Sequence, residues 1–338
     1  MARVWGDYLR SQLCTTIPYP THSFAGHTII VTGANTGMGL EAARHFARLG
    51  AAKIILAVRD QAKGAAAKHA IETSTPGCGS EVVQVWALDL CSYASVAAFG
   101  ERVDRELDRL DVVVANAGIL PYGTETVGQD EATITVNVVN SLHHAVLMLP
   151  KLRHTAERLG KETVLTFTGS WTHGLVNVDW IKGYQKGGGG VFAELSRRAE
   201  KAVALDRYAV SKLIQLLAVR ELATQVTTSG KPGSQRVVVS TVNPGGVKTD
   251  IDRGSTGLQR IMNRSAGWSL RATEVGGRTL VHGAQGGKAT HGAYLDNCVV
   301  REPYQCVTSA AGVEAQRRVW EELVVKLTRI NPAIVNAI

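Results

Sequence analysis

Apolar positions along the chain recur in two patterns. Short β-branched runs read as strands: His27–Thr32 (HTIIVT), Lys53–Val58 (KIILAV), Glu81–Leu88, Asp111–Ala115 (DVVVA), Thr163–Thr168 (TVLTFT) and Arg236–Val242 (RVVVSTV), with Ala289–Leu295 as a seventh. The stretches between them carry helical spacing: Gly37–Leu49, Asp60–Ile71 with Asp60 as its N-cap, Ser92–Asp108, about Asp130–His154, and Ala202–Val226. Strands that are apolar on both faces and alternate with helices predict an α/β chain, a doubly wound parallel sheet covered on each side. The alternation breaks at 171–201 and at 250–271. Residues 1–25 read as an arm leading into the first strand, and Gly187–Gly190 as a loop tip. With no long linker and no internal repeat, 1–338 is expected to be one domain.

Composition narrows the picture. The 338 residues, 45% of them hydrophobic, suffice for one large core. The net charge of +8 comes from dispersed basic residues, so no nucleic-acid partner is expected; the excess fits a polyanionic small molecule or an ordinary solvated surface. Five cysteines (Cys14, Cys78, Cys91, Cys298, Cys306) share no metal-ligand spacing, which points to a reducing compartment and no metal site. No apolar h-region is seen at the N-terminus, and no apolar run is expected to reach the length of a membrane span, so the expectation is a cytoplasmic protein with no membrane partner.

Four motifs follow one another along this frame. Thr32-Gly33-Ala34-Asn35-Thr36-Gly37-Met38-Gly39 lies where the first strand turns into a helix. Glycines there let the backbone approach a pyrophosphate, and the helix N-terminus offers N–H donors and partial positive charge. The spacing is G-x-x-x-G-x-G, so the generic fingerprint alone is weak, and a ligand-free tight turn is the alternative. Asn116-Ala117-Gly118 follows the fourth strand, Ser170 the fifth, and Tyr208-Ala209-Val210-Ser211-Lys212 comes later. Tyr208 and Lys212 are four apart, which places them on one helix face.

This ordered set resembles the short-chain dehydrogenase/reductase family over roughly residues 25–300, and within it the retinol-dehydrogenase-like branch and the reductases of fungal secondary metabolism. The resemblance implies a single Rossmann-type doubly wound parallel sheet with helices on both faces. It also implies a turn (Gly33, Asn35, Thr36, Gly37, Met38, Gly39) that holds the cofactor pyrophosphate, and Asp89-Leu90 at the adenine. Asn116, Ala117 and Gly118 would lie beside the cofactor, with a structural role for Asn116 equally open. Pro244, Val247 and Thr249, in the turn after the sixth strand, would contact the nicotinamide carboxamide.

An NAD enzyme usually ends its second strand on a carboxylate. Here the strand ends Ala57-Val58-Arg59-Asp60; the acidic position falls on Val58, Arg59 stands where a 2′-phosphate would be gripped, and Asp60 reads as a helix cap. The cofactor is therefore expected to be NADPH/NADP+. Lys63 reads as a second phosphate contact or as a solvated helix face.

A free phenol has a pKa of ~10, so only about one in a thousand is ionised at neutral pH. A Lys212 ammonium, with the positive charge of oxidised nicotinamide, would draw Tyr208 toward the working range as acid in reduction and base in oxidation. The resemblance gives Lys212 a second contact with the nicotinamide ribose, makes Ser170 the carbonyl-polarising hydroxyl, and makes Asn137 the holder of a relay water. Ser170 could equally cap a turn, with Thr168 and Thr172 as fallback hydroxyls. The distance from Ser170 to Tyr208 departs from the shorter family pattern through an insertion, 171–207. His143 and His144 read as packing.

The region 250–271 is expected to be a lid over the substrate. Trp171, Trp180, Tyr184 and Phe192 would form the facing wall or pack the insertion onto the core. The expected function is reduction of a ketone or aldehyde on an apolar small molecule, of polyketide or terpenoid type, by a homodimer or homotetramer. The alternatives are a cofactor-binding sensor or scaffold and a non-redox isomerase or cyclase.

Overall fold

In the computed structural model, residues 2–120, 126–128, 130–182, 190–199, 204–249 and 270–338 are described, apart from the side chains at 180, 182, 198, 199 and 204. The apolar runs form the strands β1 (Thr28–Thr32), β2 (Lys53–Val58), β3 (Val83–Ala87), β4 (Val112–Ala115), β5 (Thr163–Thr168), β6 (Val237–Asn243), β7 (Tyr294–Asp296) and β8 (Val299–Arg301). They lie side by side in the order β8-β7-β6-β5-β4-β1-β2-β3. All pairs are parallel except the terminal β7–β8 hairpin. The chain therefore leaves β1 in one direction for β2 and β3 and in the other for β4, β5 and β6. At that reversal of strand order a crevice opens beyond the carboxyl ends of β1 and β4, where such sheets bind ligands.

Alternation within each strand feeds two cores. Ile29 and Val31 of β1 face α2 (Gly37–Arg48), α3 (Gln61–Ser74) and α8 (Thr273–Ala284). Ile30 faces the other side, where α4 (Tyr93–Glu106), α5 (Ser141–Leu159), α7 (Ala204–Thr228) and α9 (Ala310–Ile330) pack. Asp60 caps α3 by accepting from Lys63 N at 3.0 Å, as expected, and Ser92 caps α4 in the same way.

Several elements differ from expectation. The arm contains a helix, α1 (Ala2–Cys14). The seventh strand is limited to Tyr294–Asp296, because Lys288–Thr290 closes a single tight turn ahead of it. The insertion carries α6 (Gly190–Ala199). The helix expected from about Asp130 starts at Ala132, where Glu131 caps it, widens through one π-type turn at Thr135–Asn140, and runs on to Leu159. That combined run, 132–159, is long and apolar enough to cross a membrane, contrary to expectation; 94% of its most apolar window is buried, which fits its place at the centre of the core. The expected lid lies outside the described residues except for 270 and 271, and Tyr184 and the Trp180 side chain lie outside them too.

Candidate active site

The three glycines after β1 do different work. At Gly39 a Cβ would lie 2.6 Å from Gly33 O and 2.7 Å from Asn116 Nδ2, so this glycine lets α2 close onto the turn. At Gly33, with φ at 66°, a Cβ would lie 3.0 Å from Ala117 Cα. Gly37 differs: its φ is also positive, at 61°, but the nearest atom to a Cβ would be Thr249 Cγ2, 3.8 Å away. The first two glycines serve internal packing, and the third faces the crevice at the start of α2. A dinucleotide fits this arrangement, with backbone N–H donors on one side and Thr249 across from them. Met38 turns its side chain away, against Gly276 of α8, where Val247 also packs. Asn35 and Thr36 are half-buried in the same turn.

Asn116 is built into the scaffold. Its Nδ2 donates to Thr32 O at 2.9 Å, its Oδ1 accepts from Thr168 Oγ1 at 3.3 Å, and Thr32 Oγ1 accepts from Asn116 N and Ala117 N, both at 2.9 Å. It thereby ties β1, β4 and β5 together below the crevice. At the outer end, Arg59 is exposed beyond β2, within side-chain hydrogen-bonding reach of Cys91. The Asp89 carboxylate accepts from Cys91 N at 2.9 Å, and Leu90 is buried. Val58 is buried, and Asp60 is committed to its cap, so neither takes the ribose-binding place.

The expected proton-transfer residues converge at the other end of the crevice. Ser170 Oγ accepts from Thr172 Oγ1 at 2.9 Å and from Thr172 N at 3.3 Å, and it hydrogen-bonds the Tyr208 side chain. With Thr172 supplying both donors, the Ser170 hydrogen is left to point at another acceptor. The fallback hydroxyls are thus otherwise employed, Thr172 in orienting Ser170 and Thr168 in binding Asn116.

Lys212 Nζ donates to Thr168 O at 2.7 Å and to Gln215 Oε1 at 3.1 Å, and it lies 5.8 Å from the centre of the Tyr208 ring. Asn137 does not direct its side chain at Lys212. Its Oδ1 accepts from Ile119 N at 2.9 Å, and its Nδ2 donates to Ile119 O and Ser211 Oγ, both at 3.0 Å. Its main-chain carbonyl accepts from the Gln215 amide at 2.7 Å.

The electrostatics also depart from expectation. Burial pushes the Tyr208 phenol up to about 12 against the opposing pull of Ser170, and burial pulls the Lys212 ammonium down to about 7. Within the protein itself, desolvation outweighs the attraction between the two side chains, so Tyr208 rests as a neutral phenol at pH 7. That is the form which donates a proton.

Some of the site's framework gave no sign in the sequence reading. Asn243 Oδ1 accepts from Trp171 N and Gly245 N, both at 3.1 Å, tying the strand end after Ser170 to the Pro244 turn. Helix α1 lies across that turn. Gln12 donates to Gly246 O at 2.8 Å and accepts from Gly246 N at 3.1 Å, while Tyr8 stacks on Trp171 with ring centres 4.3 Å apart. The buried Arg271 donates to Pro244 O at 2.9 Å and to Ser11 O at 2.8 Å. His173 Nδ1 lies 2.6 Å from Ser170 O. Phe192 is buried in the core, and Trp171 packs against Trp5 and Tyr8 of α1. Neither ring nitrogen of the buried His143, nor Nε2 of the buried His144, has a hydrogen-bond partner among the described residues, and both side chains belong to packing.

Comparison with known proteins agrees with this geometry. Residues 27–169 match the family model described as short chain dehydrogenase. The chain is 42% identical over 330 residues to the short chain dehydrogenase/reductase dmxR8 of Cryptosporiopsis sp., covering 97% of this chain and 98% of that one. It is 35% identical to the short-chain dehydrogenase anuD of Penicillium roqueforti, covering 97% and 84%. A short chain dehydrogenase from Shigella flexneri, solved in complex with NADP, shares the fold with a TM-score of 0.55 at 21% identity, covering 82% of this chain and 99% of that one. The chain belongs to the short-chain dehydrogenase/reductase family, oxidoreductases that work with a nicotinamide cofactor, and its curated relatives named here are fungal.

Proposed function

We propose that this chain is an NADPH-dependent reductase of a ketone or aldehyde on an apolar small molecule, with Tyr208 as proton donor. The observation that carries the reading is the convergence of Ser170, Tyr208 and Lys212 beside the glycine turn, with Asn137 behind them. When bound, the nicotinamide cofactor supplies the hydride. The protein's own residues handle the negative charge that then develops on the carbonyl oxygen. Ser170, its oxygen already holding two donors from Thr172, turns its hydrogen to that oxygen. Tyr208 gives the oxygen its phenolic proton, and the Lys212 ammonium below the ring stabilises the phenolate left behind. Two of the three Lys212 N–H groups are used by Thr168 and Gln215, and the third serves the ribose hydroxyls.

Arg59, exposed at the end of β2 with no carboxylate at Val58, supports the preference for a 2′-phosphate. The similarity to fungal short-chain dehydrogenases supports a substrate from fungal secondary metabolism, and the proposal extends it to the polyketide or terpenoid type. The test is Tyr208→Phe. NADPH consumption with a panel of aromatic and aliphatic ketones should fall at least ~1000-fold, with NADPH affinity within about threefold of wild type. Retained turnover would remove Tyr208 from this role.

A further inference from the structure

Gln215 stands between Lys212 and Asn137. It lies three residues past Lys212 on α7, on the same face. Its Oε1 accepts from Lys212 Nζ at 3.1 Å, and its Nε2 donates to the Asn137 carbonyl at 2.7 Å, with Ser141 Oγ 3.4 Å away. Gln215, Lys212 and Asn137 are all buried. The carbonyl belongs to the widened turn Thr135–Asn140, a departure from regular helix of the kind found at functional positions. The two ends of the amide have opposite hydrogen-bonding character and both are engaged, oxygen toward the cation and NH₂ toward the carbonyl, so its orientation is set by its neighbours.

We infer that Gln215 is a positioning residue for the proton-transfer site, a side-chain strut that holds the Lys212 ammonium beneath Tyr208 by anchoring it to the Asn137 carbonyl. The inference rests on the assignment of Tyr208 and Lys212 made above. An ammonium taken out of water needs acceptors to stay charged, and the structure supplies two, the Thr168 carbonyl and the Gln215 amide oxygen. The groups that face Lys212 are Tyr208 and Gln215 from α7, the Thr168 carbonyl from β5, Asn137 from the widened turn and Gly118 from the loop after β4. Among these only Tyr208 titrates, so no carboxylate there shares the task of holding the charge. A glutamine amide is neutral at every working pH and holds the lysine without trapping it in a permanent ion pair.

The test follows the titration of Lys212 itself, by the chemical shift of carbon-labelled lysine side chains in the full-length protein, with Lys212→Met identifying the resonance. Gln215→Met removes the acceptor and should lower the Lys212 midpoint by about one pH unit, a tenfold change in its ionisation constant. Gln215→Glu, of nearly the same shape, sets a carboxylate beside the ammonium and should raise the midpoint by at least as much. Shifts in opposite directions support the inference; no shift in either variant, or shifts in the same direction, overturns it. If Gln215→Met fails to fold, Gln215→Glu carries the test alone, and an unchanged or lowered midpoint overturns the inference. Failure of the underlying reading shows separately, as turnover that survives Tyr208→Phe.

Discussion

Gly37 and Gly39 sit two residues apart in one turn, yet substitution should affect them through different physics. A methyl at Gly39 meets Gly33 O and Asn116 Nδ2 inside normal contact distance, and both belong to the framework that joins β1 to β4. Gly39→Ala should cost about 1–3 kcal/mol of stability, seen as a lowered midpoint of thermal unfolding. At Gly37 a methyl would meet only Thr249, at an ordinary contact distance of 3.8 Å, and the cost is the left-handed backbone, about 1–2 kcal/mol, together with a methyl projecting into the crevice. Gly37→Ala should therefore weaken NADPH binding by more than Gly39→Ala does in whatever fraction remains folded. Equal effects on both measurements would mean that the crevice is not where the cofactor lies. At this scale the sequence was informative wherever a residue's chemistry is local. The cap at Asp60 and the Tyr208–Lys212 pair depend on spacings of three or four residues. Gln12 and the amide nitrogen of Gln215 act on groups supplied by distant segments, and nothing in their immediate neighbours announces that.

Among the elements, the inner strands of the sheet were legible because each is a β-branched run buried on both faces. The strands β7 and β8, at one end of the sheet, are three residues each, too short to carry a period. Helix α8 was unread for a different reason. Its sequence, TEVGGRTLVHGA, spends Gly276 and Gly277 on close approach to α2, Met38 and Val247, which removes the apolar stripe that usually marks a helix. Helix α1 shows how an arm can become part of a site. Gln12 satisfies both backbone groups of Gly246, in the turn of Pro244, Val247 and Thr249 that the proposed function would set at the nicotinamide end. Gln12→Ala leaves a donor and an acceptor without that partner and should cost about 1–3 kcal/mol, lowering the unfolding temperature by a few degrees. NADPH affinity should fall with it, while Gln61→Ala, on the outer face near Val58, should lower neither by a comparable amount. An unchanged unfolding temperature in Gln12→Ala would mean that α1 is not docked on the turn in solution.

At the scale of the molecule, His143, His144 and His173 are buried as neutral groups: burial draws them down to about 4, about 3 and about 4. In the unfolded chain each takes up a proton near its ordinary value of about 6.5, so below that pH the unfolded state binds more protons than the native one. Their contribution is fully present above pH 6.5 and is lost as pH falls from 6.5 toward 4, at roughly 2 kcal/mol per histidine by pH 5 as an upper figure. Thermal unfolding should thus occur at a distinctly lower temperature at pH 5 than at pH 7. His144→Leu, which keeps the packing against Phe99 without a titrating ring, should narrow that gap. An unaltered gap would contradict the burial of His144.

In the proposed function, a phosphorylated nicotinamide dinucleotide would lie between the glycine turn, Arg59 and the Tyr208–Lys212 pair. The most direct test is the affinity of the purified protein for NADPH and NADH, followed by tryptophan fluorescence, in wild type and in Arg59→Ala. One charge-assisted contact of ~1.5–3 kcal/mol predicts NADPH binding roughly 10- to 150-fold tighter than NADH, with most of that difference erased in Arg59→Ala. Binding of neither dinucleotide, or equal loss of both in Arg59→Ala, would contradict it.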